Sequence, residues 1–222
     1  ILVDYSAGIA IYRYKEHKKK GISILCLSIV FNLGILFIFK YVNFFINNIN
    51  IIFSLALSKV NITLPLGISF YTFQTMSYSI DVYKGRIKPE INIINFATFV
   101  TLFPQLIAGP IVKYTDIQNE IKARNIEKDK VQEGIEKFIL GLGRKVLIAN
   151  NIGMLWSEVE NTGFNNISTP FAYVGILAFS LQIYFDFSGY SLMARGLGQI
   201  LGFNFPRNFN YPYASRSISE FW

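Results

Sequence analysis

Four long stretches without a charged side chain constrain the fold of this chain more than any other feature. They are Gly21–Phe39, Val60–Ile80, Ile91–Val112 and Asn161–Phe185. A helix of about twenty apolar residues crosses the hydrocarbon core of a bilayer. Only 16% of the residues are charged and 52% are hydrophobic, whereas about 25% are charged in a typical soluble domain. The sequence therefore predicts an all-α fold, a polytopic transmembrane helical bundle.

We predict a single membrane domain over residues 1–222, with spans at about 22–46, 62–83, 91–112, 135–156 and 170–203. The third span contains Pro104, Gly109 and Pro110, which interrupt a regular helix, so we expect a broken or re-entrant element there. The asparagines between Asn47 and Asn50 are expected to end the first span. Because the chain begins at Ile1 rather than Met and ends inside a motif, we expect the domain to be incomplete at both ends.

Basic residues cluster at the ends of the apolar runs and account for much of the net charge of +7. The clusters Arg13–Lys20 and Lys84–Lys88 are predicted to face the cytoplasm, and Asn47–Asn50 the outer side. These basic residues do not alternate with aromatic residues as in a nucleic-acid-binding patch. Membrane topology therefore explains the charge, and the predicted partner is a lipid bilayer and not a nucleic acid.

Two further patterns predict helix packing. Val131–Leu147 is predicted to be an amphipathic helix, with Ile135, Phe138, Ile139 and Leu142 on its apolar face. Gly198 and Gly202 have the spacing of small residues that let two membrane helices approach closely.

The last uncharged run ends in a polar sequence, FDFSGYS, at residues 185–191. Asp186 stands between two phenylalanines and is followed by Ser188, Tyr190 and Ser191. A carboxylate at membrane depth is costly unless it is paired or faces water. The sequence therefore predicts a polar site inside the bundle, around Asp186.

Several motifs, taken in order, resemble the central block of the membrane-bound O-acyltransferase superfamily. They are LPLGISFYTFQ (64–74), FPQLIAGPI (103–111), FDFSGYS (185–191), NFNYPY (208–213) and SRSISEFW (215–222). The alginate O-acetyltransferase branch is the most similar, and the branch that D-alanylates teichoic acids is related to it. Ordered motifs of this kind are much more specific than any one of them alone.

This resemblance implies a multi-pass enzyme of the bacterial cytoplasmic membrane that transfers an acyl group, acetyl in the first instance, to hydroxyls of an extracytoplasmic polysaccharide such as alginate. It implies no bound cofactor and no metal. The donor would be a cytoplasmic thioester, acetyl-CoA or an acyl-carrier protein, and extracytoplasmic partner proteins would assist acetylation. D-alanyl transfer to teichoic acid is the alternative from the related branch. The residues alone leave a membrane transporter open, because broken helices and a buried carboxylate also occur there.

The resemblance also implies a set of residues for the tunnel or polar core. They are Asp186, Ser188, Tyr190, Ser191, Gln74, Gln105, Asn208, Tyr211 and Arg216. Asp186 is expected either to anchor hydrogen bonds or to line the tunnel. The family's catalytic histidine lies after the EFW sequence, so no catalytic residue is assigned here and this stretch alone is expected to be inactive. His17 lies in a basic run and is rejected as the general base.

Two pairs of positions remain open to more than one interpretation. Arg144 and Lys145 are interpreted as interfacial residues whose side chains extend to the membrane surface, with contact to the phosphates of an acyl donor as the alternative. Leu192 follows GYS where many relatives have an acidic residue, and Arg195 comes three positions later. This departure leaves the identity of the acceptor polymer open.

Overall fold

A computed structural model describes residues 1–106, 109–110, 112–164 and 166–221. The predicted positions Ile107, Ala108 and Ile111 of the FPQLIAGPI motif, and Trp222 of the SRSISEFW motif, lie outside the described residues. The part of the chain that is described contains helices and no strand, which confirms the all-α class. Within the single domain that we expected, the contacts cluster in two compact units, residues 1–107 with 113–122 and residues 108–112 with 123–222.

The first unit contains five α-helices. They are α1 (Leu2–Arg13), α2 (Lys18–Phe53), α3 (Ile68–Tyr83), α4 (Ile93–Thr101) and α5 (Tyr114–Lys122). Helices α1, α2 and α3 pack against one another. Aromatic side chains form the core beside α4 and α5: Tyr78, Phe96, Phe99 and Tyr114 are almost fully buried. Their ring centroids lie 4.6 to 6.2 Å apart, a spacing at which tilted and edge-to-face pairs are stable.

Two helix boundaries differ from the prediction. The asparagines 47–50 do not end the first span, because α2 continues to Phe53. Asparagine has a low helix propensity but is tolerated when its side chain finds partners; the amide of Asn50 bonds both backbone groups of Leu57, each at 2.9 Å. The second predicted span began at residue 62, yet α3 begins at Ile68, since Pro65 and the left-handed Gly67 (φ 74°) precede the helix.

The predicted break around Pro104 is confirmed. Helix α4 ends at Thr101, Leu102 is extended with ψ 112°, and a short 3-10 turn covers Phe103–Gln105. The last carbonyls of a helix lack partners within it, and the carbonyl of Phe99 accepts hydrogen bonds from the side chains of Gln74 at 3.1 Å and Gln105 at 2.6 Å. Two of the predicted polar residues thus stabilise the end of a helix in the first unit.

The second unit is built on two long antiparallel helices. Helix α6 (Lys128–Gly143) continues through a π-helical segment (Arg144–Ala149) into α7 (Asn150–Thr162), and α8 (Thr169–Ile200) packs along all three. A 3-10 turn (Pro212–Ala214) and the short α9 (Ile218–Phe221) follow. Three helical stretches of the described chain are long and apolar enough to cross a membrane, namely Lys18–Phe53, Lys128–Thr162 and Thr169–Ile200.

Glycines set the distance between α6 and α8. An added Cβ at Gly134 would lie 2.8 Å from the carbonyl oxygen of Gly196, and one at Gly141 would lie 2.5 Å from that of Gly189. Side chains are therefore excluded at two crossing points seven residues apart on each helix. Close backbone approach at small residues is a main source of helix association in a membrane.

Candidate functional site

The π-helical segment carries a lysine that pairs with the carboxylate predicted to be the centre of the site. Lys145 Nζ forms an ion pair with Asp186 Oδ1. Both side chains are partly exposed, at 38% for Lys145 and 49% for Asp186. The positive charge of Lys145 on the neighbouring helix thus offsets the free-energy cost of placing a carboxylate at membrane depth. Both residues were predicted to be notable, Asp186 in the polar site and Lys145 at the membrane interface, but no local pattern in the sequence connects them.

Gly189 lets the backbone of the π segment approach α8 at this point. An added Cβ on Gly189 would lie 3.2 Å from Lys145 N and 3.2 Å from Arg144 Cβ. Hydrogen bonds in a π-helix span five residues, one more than in an α-helix, and π-helical segments are frequent at functional sites. The glycine of FDFSGYS therefore has a structural role, because its lack of a side chain lets Arg144 and Lys145 lie against the polar face of α8.

The segment after α8 folds back along that helix and is fixed by aromatic contacts. The ring of Phe209 lies 6.2 Å from that of Tyr184 and 5.2 Å from that of Phe187. The hydroxyl of Tyr213 donates a hydrogen bond of 2.9 Å to the carbonyl of Ser180. Between these anchors Tyr211 adopts a left-handed conformation with φ 50°, which is strained for a bulky residue and typical of functional loops.

A cavity of about 270 Å³ lies between α8, the π segment and this returning segment. It is lined by Arg144, Tyr184, Ser188, Ser191, Leu192, Arg195, Arg207, Asn208, Phe209 and Tyr211. Four of the predicted polar residues, Ser188, Ser191, Asn208 and Tyr211, therefore meet in one place. The side chains of the two serines are buried and the returning segment forms the more open wall.

The remaining predicted residues do not line this cavity. Asp186 is on α8 but pairs with Lys145, and Tyr190 is half-buried elsewhere on the same helix. Arg216 is exposed, and its backbone N–H donates to Glu220 at 2.7 Å, while Ser217 accepts from the Glu220 N–H at 3.1 Å. The Ser217 hydroxyl therefore caps the first turn of α9. Gln74 and Gln105 belong to the first unit.

Three arginines of the cavity were not among the predicted site residues. Arg144 carried a phosphate contact only as an alternative, Arg195 was noted as a departure from the family pattern, and Arg207 drew no attention. No local sequence pattern marks these arginines as site residues, because only the fold brings the three positions together.

A second buried polar cluster lies in the first unit, around Glu90. Its side chain is only 6% exposed and accepts a hydrogen bond from the hydroxyl of Tyr114. The backbone N–H of Asn92 donates to the same carboxylate at 2.9 Å, and Lys122 Nζ lies 3.5 Å away. The hydroxyl of Tyr78 accepts from the N–H of Glu90 at 2.9 Å.

The environment of this cluster shifts the pKa of both partners. Burial opposes ionisation of Glu90, but the hydrogen bonds from Tyr114 and Asn92 and the charge of Lys122 outweigh it, so the pKa of Glu90 lies below its ordinary value. Burial and the neighbouring carboxylate raise the pKa of Tyr114. The phenol therefore stays protonated and serves as a permanent donor to Glu90.

The lowered pKa of Glu90 predicts a loss of stability in acid. A carboxylate whose pKa is lower in the folded than in the unfolded state stabilises the fold above the unfolded value of about 4.3. That contribution disappears as the pH falls through the folded-state pKa. We expect Tyr114→Phe, which removes a donor, to lower the free energy of unfolding by about 1–2 kcal/mol at pH 7. It should also reduce the difference in stability between pH 7 and pH 3, measured by thermal unfolding in detergent.

The outcome that would contradict this assignment is equal acid sensitivity in the two proteins. Glu127→Gln is a suitable control, because Glu127 is an exposed carboxylate paired with Lys130 at 3.1 Å. Exposed ion pairs contribute little to stability, so this control should follow the wild-type pH profile.

A model of the membrane-bound O-acyltransferase family (MBOAT) matches residues 86–222 of the chain. That interval contains the whole of the cavity and the Lys145–Asp186 pair. It covers more than half of the chain.

The chain is also similar to curated bacterial acyltransferases. It is 45% identical over 202 residues to a probable alginate O-acetylase AlgI of Pseudomonas aeruginosa, covering 89% of this chain and 38% of that protein. It is 31% identical to a peptidoglycan O-acetyltransferase of Helicobacter pylori, over 100% of this chain and 47% of the relative. It is 30% identical to a teichoic acid D-alanyltransferase of Bacillus subtilis, over 71% and 40%. The chain thus spans less than half the length of each of these relatives.

Proposed function

The chain belongs to the membrane-bound O-acyltransferase family, and we propose that its protein transfers an acetyl group from a thioester donor to hydroxyls of a polysaccharide. The observation that carries this proposal is the 45% identity to a probable alginate O-acetylase over 89% of the chain. Three helical stretches fit a membrane location. In our proposal the protein is a multi-pass protein of the bacterial cytoplasmic membrane, with the donor at the cytoplasmic side and the polymer outside.

Acyl transfer of this kind requires a base beside the acceptor hydroxyl and places that hydroxyl over the carbonyl carbon of the thioester. The base removes the hydroxyl proton while the oxygen adds to the carbonyl carbon, and the tetrahedral intermediate then expels the thiolate, which takes up a proton. The single histidine of the sequence, His17, is exposed at the start of α2, so we assign no base to these 222 residues. We assign to the cavity and the Lys145–Asp186 pair the task of binding and orienting a substrate.

The proposed donors are acetyl-CoA and an acetylated acyl-carrier protein, and partner proteins outside the cytoplasm would complete delivery to the polymer. The test is the ester-bound acetate of the polysaccharide in cells that carry the complete gene and in cells that lack it. We expect the acetate to disappear on deletion and to return on complementation. Equal acetate in both strains, with no other acyl group lost, would contradict acetyl transfer.

D-alanyl transfer is the second candidate, since the chain is 30% identical to a teichoic acid D-alanyltransferase. Both reactions use a thioester donor and a hydroxyl acceptor, so this region of the fold serves either. Release of D-alanine by mild base separates the two. Loss of D-alanine esters on deletion, with acetate unchanged, would favour this candidate.

Removing the charge of Asp186 is predicted to lower polymer acetylation. Asp186→Asn keeps the shape of the side chain but leaves Lys145 without its partner, so the π segment loses a contact to α8. We expect about tenfold less acetylation at an unchanged protein level, because small displacements at a reacting centre cost one to two orders of magnitude in rate. The measurement is acetate per polymer in the complemented deletion strain, with the protein quantified in the membrane fraction.

Asp129→Asn is the matched control, because Asp129 is an exposed carboxylate in the first turn of α6. It should leave acetylation unchanged. Lys145→Gln removes the other half of the pair and should reproduce the Asp186→Asn defect. Normal acetylation in Asp186→Asn cells with a normal protein level would limit Asp186 to a structural role.

A further inference from the structure

The cavity beside α8 concentrates positive charge without a negative partner. Arg144, Arg195 and Arg207 line it, and none of its lining residues is acidic. In the described part of the chain, none of the three forms a salt bridge, since Asp186, the one acidic residue of α8, pairs with Lys145. Guanidinium groups that line one cavity repel one another, and an anion bound between them reduces that repulsion.

Backbone carbonyls hold two of these arginines through Nε. Among the described residues, their terminal guanidinium nitrogens form no hydrogen bond. Arg195 Nε donates to the carbonyl of Phe205 at 3.3 Å, and Arg207 Nε donates to that of Phe209 at 2.7 Å. The Arg207 guanidinium also lies 5.7 Å from the centre of the Tyr211 ring. Fixing Nε orients the planar fork, and a preoriented fork loses less entropy when it binds an oxyanion.

A buried hydroxyl in the same cavity also lacks a partner. Ser188 is only 2% exposed, and its Oγ has no hydrogen-bond partner among the described residues. A buried hydroxyl without a partner costs roughly as much as a lost hydrogen bond. Ser188 lines the cavity, so a ligand with acceptor oxygens would satisfy it.

We propose that this cavity binds the phosphate group of a phosphate ester, held by Arg144, Arg195 and Arg207 with Ser188 as a neutral donor. A phosphate offers several acceptor oxygens and matches the fork of arginine. The volume of about 270 Å³ lies below the range of about 300–1,000 Å³ of sites for drug-sized ligands. The cavity therefore has room for a phosphate with its immediate substituents.

Two molecules could present that phosphate: the pantetheine arm of a thioester donor, or a membrane phospholipid. The first rests on the proposed function, whereas the second is independent of acyl transfer. Binding is therefore measured without turnover, using the complete protein in an uncharged detergent. The probes are inorganic phosphate, 4′-phosphopantetheine, pantetheine without phosphate, and short-chain phosphatidylglycerol.

We expect inorganic phosphate and 4′-phosphopantetheine to bind and to raise the melting temperature, and pantetheine to do neither. Arg144→Gln and Arg207→Gln should each weaken phosphate binding by about tenfold, the usual effect of losing one charge-assisted hydrogen bond. Lys128→Gln removes the same charge from an exposed position at the start of α6 and should bind as the wild type does.

Ser188→Ala keeps the charge of the cavity, so it tests the site even if the arginine variants fail to fold. It should weaken phosphate binding by about threefold and leave the melting temperature of the ligand-free protein unchanged or higher, because it removes an unpaired buried hydroxyl.

Binding of phosphatidylglycerol without 4′-phosphopantetheine would support the phosphate site and identify a lipid as its ligand. Equal binding of pantetheine and 4′-phosphopantetheine, or full phosphate affinity in both arginine variants, would overturn the proposal. Loss of polymer acetylation plays no part in either outcome.

Discussion

Gly141→Leu is expected to prevent the protein from accumulating in the membrane, and Gly141→Ala to lower its free energy of unfolding by about 1–3 kcal/mol. The reason is the crossing of α6 and α8. A Cβ at Gly141 would lie 2.5 Å from the carbonyl oxygen of Gly189 and 2.8 Å from the backbone nitrogen of Met193. Neither atom belongs to a flexible side chain, so the helices themselves would have to move apart.

Gly143→Ala provides a control on the same helix. Among the described residues, none outside the helix lies within 4 Å of a Cβ at Gly143, and alanine in a helix is more stable than glycine by about 0.5–1 kcal/mol. We expect this variant to be as stable as the wild type or slightly more so. The measurements are the amount of protein in membrane fractions and thermal unfolding in detergent. If Gly141→Ala matched Gly143→Ala in both, the close contact between α6 and α8 would be refuted.

The apolar face that the pattern of α6 predicts is largely exposed. Ile135, Ile139 and Leu142 on that face are 47%, 60% and 42% exposed. In a membrane an apolar face has no need of a protein partner, because lipid is equally apolar. The packed face instead carries the glycines Gly134 and Gly141.

Small-residue spacing by itself was also an incomplete guide. Gly198 does pack closely, against the ring of Phe205. Gly202 has φ 82° and ends α8. An added Cβ there would lie 3.3 Å from Ile126 Cγ1, so Gly202 also packs closely, but against the segment before α6 and not against a helix. The N–H of Phe203 bonds the carbonyl of Gly198 at 2.8 Å, the hydrogen bond of a helix end closed by glycine. Spacing alone cannot show which glycine ends a helix.

Features that depend on neighbouring residues were predictable. Prolines marked the break after α4, and the uncharged run Asn161–Phe185 marked the long helix α8. The cavity depends on distant residues: Arg144 on the π segment, Ser188 on α8 and Arg207 after it meet only once the glycines have set the helix spacing. Four polar residues of the cavity were found because the family motifs contain them, whereas the arginines lie outside those motifs.

The second large effect is expected at a carboxylate that no sequence pattern singled out. Asp4 on α1 is 1% exposed. Its Oδ1 accepts hydrogen bonds from Ser28 Oγ at 2.8 Å, Asn32 Nδ2 at 2.8 Å and Ser79 Oγ at 3.4 Å. One oxygen thereby joins α1, α2 and α3. Among the described residues no basic side chain pairs with Asp4, so neutral donors alone hold it.

Asp4→Leu is expected to lower the free energy of unfolding by about 3 kcal/mol or more. Three buried donors would lose their acceptor, and each unsatisfied group costs about 1–3 kcal/mol. The measurement is thermal unfolding in detergent, together with the amount of protein in the membrane. Glu16→Leu, at an exposed position just after α1, removes the same charge and should have little effect.

Asp4→Asn separates the acceptor from the charge. Asparagine keeps an oxygen at the position of Oδ1 and nearly the same volume, so the three donors retain their partner. It also removes a buried negative charge that neutral donors stabilise only in part. We therefore expect a loss of less than about 1 kcal/mol. If Asp4→Asn were as destabilising as Asp4→Leu, the charge itself would be required, and a cation outside the described residues would have to balance it.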